Sequence, residues 1–560
     1  PIYEKEVKVI PHPMADPEKG TGLVMMCSYG DTSDVRFFRE QNLTPIFCID
    51  SDGKMNENSG FLKGLLVEEA RKKIIEELKA RNLLTGEKKI LHRTPICSRS
   101  KHPIEFISMK EFYLKQVEFK EKMLEIANKL NFYSEESRQR LIDWINSVSI
   151  DWPISKRRYY ATEVPLWYCK KCGNIILPKP GKYYIPWKEK RKCKCSGEAI
   201  GEERVFDTWF DSSITPLYIL GYKRKDFYKK SKKHKICTLR PQGNDIIRTW
   251  LYYTLLKCYL LTNKTIFKDV WINYMIVDEK GRKMAKSLGN VIDPNEIINK
   301  YGAEPLRLWA AFEGDLTKQD FRCSFERIES AQKTLIKLWN IARFASQFID
   351  DFENEDKTKE KIKEKIKDEN MPNTLNEIVN DIDKLMIKEI NSLIKYTRKR
   401  YLKYDFHNPS VKIRYFMWEI LASNYLEMIK CRVYDRNHEK FSEKERISAI
   451  ITLFYLLKTI LKLLAPIIPF ITYKIYKEIF KGNIHLEEFP KELSAKDIKN
   501  IKTAFSLKQL TSLNSKIWKF KKEKNISLNS EIEEFKINKR MKSIEKDIAL
   551  THKIKNIIWK

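Results

Sequence analysis

Lys283 and Lys286 stand three residues apart in the run Gly281-Arg282-Lys283-Met284-Ala285-Lys286-Ser287-Leu288-Gly289-Asn290. Two ammonium groups at that spacing on a glycine-bracketed loop suit a triphosphate, because fixed positive charge stabilises negative charge as it moves onto a departing phosphate. Ser287 adds a hydroxyl donor, and Gly281 and Gly289 allow the loop to open and close around a ligand. In a chain with 106 Lys plus Arg, a bare Lys-x-x-Lys-Ser is no more than a solvated turn; the longer string, continuing Val291-Ile292-Asp293-Pro294, is the specific part of the signal. Upstream, Pro241-Gln242-Gly243-Asn244-Asp245-Ile246-Ile247-Arg248-Thr249-Trp250 follows a strand candidate and opens a helix. There Gly243 permits close approach of a nucleotide, and Asp245 can accept hydrogen bonds from ribose hydroxyls or simply cap the helix. Cys169-x-x-Cys172 and Cys193-x-Cys195 supply four thiolates, enough to close a tetrahedral zinc shell with no open position for a substrate, which makes the site a structural one. Four unligated thiols are the other reading.

The elements that must position these groups follow from periodicity. Residues 1–105 read as short strands and turns, with Asp52-Gly53 as a hairpin turn and a helix over 67–82 interrupting them. Apolar spacing turns helical over 106–152, notably at 119–130 and 141–145, before the cysteine cluster forms a small insertion. Residues 200–322 mix strand candidates at 236–239 and 270–276 with a helix over 246–261, as an α/β layer does. From 327 to 480 long amphipathic helices dominate, among them 390–404, 410–432 and 446–464. The charge-mixed run 351–372 reads as a solvated helix or linker.

Bulk properties set the class. A chain of 560 residues is too long for one core, and 42% hydrophobic with 12% aromatic residues excludes wholesale disorder. The formal charge of +31 favours a polyanionic partner, nucleic acid first, unless a lysine-biased composition alone accounts for it. Eleven cysteines, scattered apart from the one cluster, argue against a disulfide framework and for a reducing, cytoplasmic setting. The most apolar stretch, 451–471, contains Lys458, Lys462, Pro466 and Pro469, so it reads as a buried helix followed by a break and no membrane partner is expected.

Taken together, the motifs resemble the class I aminoacyl-tRNA synthetases. The lysine loop is similar to their KMSKS signature, with Ala285 where the family usually has serine, and 241–250 resembles their Gly-x-Asp segment in the wording of the valyl branch, with Asn244 where histidine is common. The resemblance implies catalytic roles for Lys283, Lys286 and Ser287 and ATP binding by Gly243, Asn244, Asp245 and Lys286. Asp151 to Tyr160, Val164 to Cys169 and Asp207 to Ser213 resemble the segments around the knuckle of the valyl and isoleucyl branches, which places Trp152 and Trp209 near the aminoacyl pocket. Gly20 to Asp34 is similar to the core of the domain that hydrolyses mischarged tRNA, where Asp31 and Asp34 would bind the ammonium and hydroxyl of a misattached threonine; capping a helix that runs to Phe38 is their other reading. Tyr425 to Lys430 and Leu464 to Thr472 resemble the anticodon-binding helical domain. On it Lys395, Arg398, Lys399, Arg400 and Lys403, interleaved with Tyr396 and Tyr401, can meet phosphate and unpaired bases. The segment Lys516 to Lys522 has the same character or is a solvated lysine face.

The fold so implied is multidomain, α/β plus all-α. It comprises a partial β-rich editing domain (1–105), a return segment (106–165), a zinc knuckle (166–200), the C-terminal half of a Rossmann-type catalytic domain (201–325), a helical anticodon-binding bundle (326–490) and a basic tail (491–560). The activity implied is ATP-dependent attachment of valine to tRNA(Val) through valyl-adenylate, with ATP and Mg²⁺ as the substrate complex, structural Zn²⁺ and editing of threonine by the complete enzyme. An isoleucyl enzyme and a non-synthetic tRNA-binding or editing accessory protein are the alternatives. None of the eight histidines lies in a His-x-Gly-His, so the chain is read as a C-terminal portion, inactive alone, whose N-terminal portion is missing or is a separate chain.

Overall fold

The computed structural model describes the chain except residues 1, 4, 90, 92, 93, 98, 99, 161, 225–236, 316 and 350–374, so Pro1 and the charge-mixed run 351–372 lie outside the described residues. It divides into two compact units, Pro1–Leu114 with Pro153–Tyr159, and Lys115–Trp152 with Tyr160–Lys560.

The first unit contains α1 (Thr32–Glu40) and α2 (Val67–Ala80), with a small core of Phe37, Phe38, Leu62 and Ala70. A turn at Gly53, whose φ of 76° suits glycine, is flanked by single bridges, Ile49 with Met55 and Lys54 with Leu66. The strand-rich expectation for 1–105 needs correction: among the described residues the extended segments there form single bridges and no ladder. A strand is held by backbone bonds to a neighbouring edge, and segments such as those carrying Val9 (83% exposed) and Met25 (84% exposed) have no such edge.

The second unit opens with α3 (Lys120–Lys129), β1 (Asn131–Phe132) and α4 (Glu135–Ser147). Four short strands follow, β2 (Trp167–Cys169), β3 (Ile175–Ile176), β4 (Arg191–Lys192) and β5 (Glu198–Gly201), paired antiparallel in the order β3-β2-β5-β4. After α5 (Thr208–Ser212) comes the strand-helix-strand unit on which the site is built: β6 (Cys237–Gly243), α6 (Tyr252–Thr262) and β7 (Phe267–Asn273). β6 and β7 run parallel in register from Cys237 opposite Phe267 to Gly243 opposite Asn273, and β7 also pairs parallel with β1. A parallel pair needs a crossover, and α6 supplies it, burying Leu251, Tyr252, Leu255 and Leu256. Thus Gly243 and Asn273 both stand at the carboxyl ends of parallel strands, the edge where open α/β sheets bind ligands. β8 (Ile276–Val277) leads into the lysine loop, followed by α7 (Pro294–Tyr301), α8 (Ala303–Phe312) and β9 (Phe321–Arg322), which pairs parallel with β8.

The helical part comprises α9 (Phe325–Ser346), α10 (Asp381–Tyr401), α11 (His407–Tyr415), α12 (Leu426–Val433), α13 (Glu443–Leu464) and α14 (Pro469–Phe480). α13 is long and apolar enough to cross a membrane, but 83% of its most apolar window is buried, so it serves here as the core helix of the bundle. Its start is set by a capping box, in which the Ser442 hydroxyl accepts from the Glu445 N–H and the Glu445 carboxylate accepts from the Ser442 N–H.

Residues 491–560, read from the sequence as a basic tail, are folded. α15 (Leu507–Glu523), β10 (Ile532–Ile537), α16 (Glu545–His552) and β11 (Ile554–Trp559) place Leu510, Ile517, Ile537, Ile548 and Ile554 in the same core as the bundle, and β10 pairs parallel with β11. Nor is the lysine run of α15 all surface: Lys521 is fully buried, its ammonium donating to the carbonyls of Leu528 (2.7 Å), Ser530 (2.7 Å) and His552 (2.8 Å). A second buried cation ties the module to the bundle. Arg432 donates to both oxygens of Asp383 at 2.7 and 2.9 Å, and its Nε lies 2.7 Å from Asp547 of α16. Tyr425 and Ser448 also donate to Asp383, at 2.8 and 2.6 Å, while Asn380 donates to Asp547 at 3.0 Å. The two aspartates thus neutralise an arginine that would otherwise be costly to bury. Asp547→Ala is expected to lower the stability of the bundle by about 3–5 kcal/mol in urea denaturation, whereas breaking the exposed Lys555–Glu533 pair by Lys555→Ala leaves it nearly unchanged.

Candidate active site

At the end of β8 the chain makes a tight turn. Val277 bridges Lys283, the Asp278 N–H donates to Arg282 O (3.0 Å), and Gly281, with φ of 78°, donates back to Asp278 O (2.8 Å). The Asp278 carboxylate closes this turn by accepting from Lys280 N (3.1 Å), Arg282 N (2.7 Å), Arg282 Nε (2.9 Å) and Asn290 Nδ2 (2.9 Å). The Asn290 amide, then the Arg282 N–H, hold this carboxyl down at about 2, so it stays charged at neutral pH. Asn290 also accepts from Ala285 N (2.9 Å) and donates to Lys283 O (3.2 Å), pinning the far side of the loop. Met284 and Ile292 pack on the apolar core, while Lys283, Lys286 and Ser287 lie exposed. The stem of the loop is fixed and its lysines face outward.

The structure brings Lys283 to Asp245, with Nζ 3.8 Å from a carboxylate oxygen. Gly243 has an ordinary φ; its reason is space, since a Cβ there would lie 2.9 Å from Asp245 Oδ1. Asn244 and Asp245 form a single turn that leads through a π-helical stretch, Ile247–Leu251, into α6. Beside them Asn273, the register partner of Gly243, lines a cavity of about 380 Å³ with Trp271, Arg307, Tyr404, Phe406 and His407. Among the described residues, Trp271 Nε1 and Asn273 Oδ1 are buried without a hydrogen-bond partner. Asp278, Arg282 and Asn290 carry no site role in the sequence alone; the signal for them is an aspartate just after a strand candidate and ahead of the Gly281 turn, and an asparagine directly after Gly289.

Trp152 is buried and stacks face to face on Tyr253 of α6, ring centroids 3.6 Å apart, with Phe210 tilted against it at 5.9 Å and Phe206 stacked on Phe210 at 4.5 Å. Trp209 is half-buried in α5, whose first turn is capped by the Asp207 carboxylate accepting from Trp209 N at 2.8 Å.

Cys169, Cys172, Cys193 and Cys195 converge, their sulfurs all within 4.8 Å of one another. Neighbouring separations are 3.4 Å (Cys169–Cys195), 3.7 Å (Cys172–Cys193) and 3.4 Å (Cys172–Cys195). A zinc–sulfur length of about 2.3 Å in a tetrahedron puts sulfurs roughly 3.8 Å apart, so the donor set fits that metal. The backbone N–H groups of Cys172 and Lys171 lower the Cys169 thiol to about 6, and Gly197 leaves room for it, since a Cβ there would lie 2.8 Å from Cys169 Sγ.

In the first unit Asp31 and Asp34 form a reciprocal helix cap. Asp31 Oδ1 accepts from Ser33 N (2.7 Å) and Asp34 N (2.9 Å), and Asp34 Oδ2 accepts from Gly30 N (2.9 Å) and Asp31 N (3.1 Å). On α10, Lys395 and Lys399 are exposed one turn apart on the same face, and Lys403 is exposed just past the end of the helix. Arg398 is held by Pro490 O (2.7 Å), Arg400 by Asp405 (3.1 Å), and Tyr401 donates to Leu463 O (3.0 Å); Tyr396 receives Lys412 over its ring at 4.2 Å.

Comparison with known proteins decides the family. Residues 5–323 match the model of class I tRNA synthetases for I, L, M and V, and residues 383–537 match the anticodon-binding domain of tRNA ligases. Valine–tRNA ligase of Nanoarchaeum equitans is 38% identical over 99% of this chain and 69% of its own length. The chain belongs to the class I tRNA synthetases, in the valine–tRNA ligase family. Other members of that family are the enzymes of Aeropyrum pernix, 38% identical over 99% of this chain, and Pyrobaculum aerophilum, 39% identical over 98%. The chain spans 65% and 66% of the length of those two relatives. Among solved structures, a Mycobacterium tuberculosis methionyl-tRNA synthetase in complex with methionyl-adenylate aligns at a TM-score of 0.47 and 14% identity, over 79% of this chain and 78% of that one. The anticodon-binding match runs past residue 490 to 537, in keeping with the shared core of α15, β10 and the bundle. For the sulfur cluster of this synthetase chain, metal analysis of purified protein is expected to find about one zinc per chain, and Cys172→Ser to release it and lower the melting temperature; metal-free wild-type protein would contradict the fit.

Proposed function

We propose that the chain contributes the ATP-facing and tRNA-facing parts of a valine–tRNA ligase, joining valine to tRNA(Val) through valyl-adenylate. The observation that carries the reading is the meeting of Lys283 and Asp245, from two separate motifs, at the carboxyl ends of β6 and β7 in a chain of this family. ATP, as its magnesium complex, is a substrate. Gly243 and Asn244 lie along it and Asp245 accepts from its ribose, while Lys283, Lys286 and the Ser287 hydroxyl stand at the phosphates. The valine carboxylate attacks the α-phosphorus and the bond to pyrophosphate breaks; the two ammonium groups stabilise the charge that collects on the departing group. A ribose hydroxyl at the tRNA end then attacks the adenylate carbonyl and AMP leaves. Trp152 and Trp209 contribute to the wall against which the aliphatic side chain is held.

Cys169, Cys172, Cys193 and Cys195 would hold a zinc ion that ties the turn after β2 to the turn between β4 and β5, a structural role outside the chemistry. Lys395 and Lys399 of α10, with Lys403 just after it, meet the tRNA backbone by charge. In the complete enzyme the unit holding Asp31 and Asp34 removes misattached threonine, since an aliphatic pocket discriminates weakly against an isostere that adds a hydroxyl; accumulation of threonyl-tRNA(Val) by an Asp34→Ala enzyme tests that role. A reducing, cytoplasmic setting belongs to the same reading, supported by eleven cysteines that are scattered along the sequence apart from the one cluster.

In the complete enzyme, Lys286→Ala is expected to slow valine-dependent ATP–pyrophosphate exchange by about 100-fold while changing valine affinity less than about threefold. An exchange rate equal to wild type would remove Lys286 from the reaction.

A further inference from the structure

We propose that Lys257 is a positioning residue that fixes the aromatic wall of Trp152, Phe206 and Phe210, and with it Trp209, so that amino-acid binding depends on Lys257 carrying its charge. The inference rests on the reading of Trp152 and Trp209 as pocket residues. Lys257 lies on α6 one turn after Tyr253, the residue on which Trp152 stacks. Its ammonium donates to the carbonyl of Phe210 and sits 3.7 Å from the centroid of the Phe210 ring. That same carbonyl accepts from the Ser213 hydroxyl at 2.7 Å, and Cys258, the next residue of α6, donates its thiol to Ser213 O at 3.7 Å. Two neighbouring side chains of α6 therefore strap both ends of the turn that carries Trp209 and Phe210, and Lys257 is the charged one.

A lysine in this place is unusual because, among the described residues, no carboxylate takes its proton in a hydrogen bond; a carbonyl and a ring face hold it instead. Burial lowers its ammonium to about 8, with Asp211 and then Cys258 acting in the opposite direction. The groups around it are Asp207 and Asp211 from the α5 segment, Tyr253 and Cys258 from its own helix and, further along that helix, Lys122 of α3 over the Tyr259 ring. Burial pushes Tyr253 and Cys258 up to about 12, so neither changes charge between pH 7 and 9. Loss of the lysine proton in that window removes the cation–ring attraction and the charge-assisted bond to Phe210 together.

Two measurements test this. On this chain itself, near-ultraviolet circular dichroism from pH 6.5 to 9.5 should show an aromatic transition centred near pH 8 that is absent in Lys257→Arg, whose guanidinium keeps its charge. In the complete enzyme, Lys257→Met should raise KM for valine about tenfold, as expected for one lost charge-assisted hydrogen bond, with kcat and KM for ATP within about threefold, and Lys257→Arg should restore it. A featureless wild-type titration, or a Met variant with unchanged KM for valine, would overturn the proposal. So would a Met variant in which kcat and both KM values deteriorate together, because that pattern marks general damage. Absence of valine-dependent exchange in wild-type enzyme would instead count against the synthetase reading, leaving the dichroism of the aromatic wall as the independent check.

Discussion

One buried carboxylate holds the candidate active site in shape. Asp278 accepts four hydrogen bonds, two from backbone N–H groups, one from Arg282 Nε and one from Asn290, and so clamps both arms of the lysine loop to the end of β8. A charged acceptor with four donors is strongly favoured in its ionised form, which is why its carboxyl is held at about 2. The physical consequence is a division of labour. Met284 and Ile292 anchor the loop by apolar packing, the clasp sets its geometry, and the two lysines stay exposed with their charge available to a polyanion.

The second constraint is topological. β6 and β7 are parallel and in register to their last residues, so Gly243 and Asn273 emerge side by side and the turn after β6 must leave from the same edge as the chain leading to the lysine loop. Asp245 and Lys283 come within 3.8 Å because the sheet brings together two segments that are distant in sequence. An exposed pair of this kind adds little stability, so its interest lies in the juxtaposition of a ribose-type acceptor and a phosphate-type cation. Away from this edge, stability comes from apolar helices and from two buried cations: Arg432, which binds the last part of the chain to the bundle, and Lys521, which ties together segments within that last part.

What was legible in the sequence was what is encoded locally. The lysine loop, the four cysteines and the long helices all depend on spacings of a few residues, and α3, α4, α6, α10 and α13 overlap the helices that the apolar period places, with both ends of α3 and α13 within a few residues and the N-terminal ends of α4, α6 and α10 displaced by more. The groups that escaped notice act at long range. Arg432, Asp383, Asp547 and Lys521 look like surface charges in a lysine-rich chain, because nothing near them in sequence reveals a partner that the fold supplies from a distant helix or loop. The same bias made 491–560 read as a tail, although Leu510, Leu513 and Ile517 carry a helical stripe beneath the lysines. Short strands in 1–105 are expected from runs punctuated by glycines and turn residues, but pairing needs an edge as well as a run between turns. Lys257 was passed over as one more lysine, and only its position against Phe210 and the stacked Trp152–Tyr253 pair gives it meaning.

Amide hydrogen exchange of this chain with and without magnesium ATP tests whether the lysine loop and the turn after β6 form the one nucleotide site we propose. Residues 280–290 and 243–250 are expected to slow together on adding ATP, and Asp278→Asn, which weakens the clasp, to abolish the effect in both segments. Protection confined to one segment, or confined to residues elsewhere in the chain, would contradict a shared site.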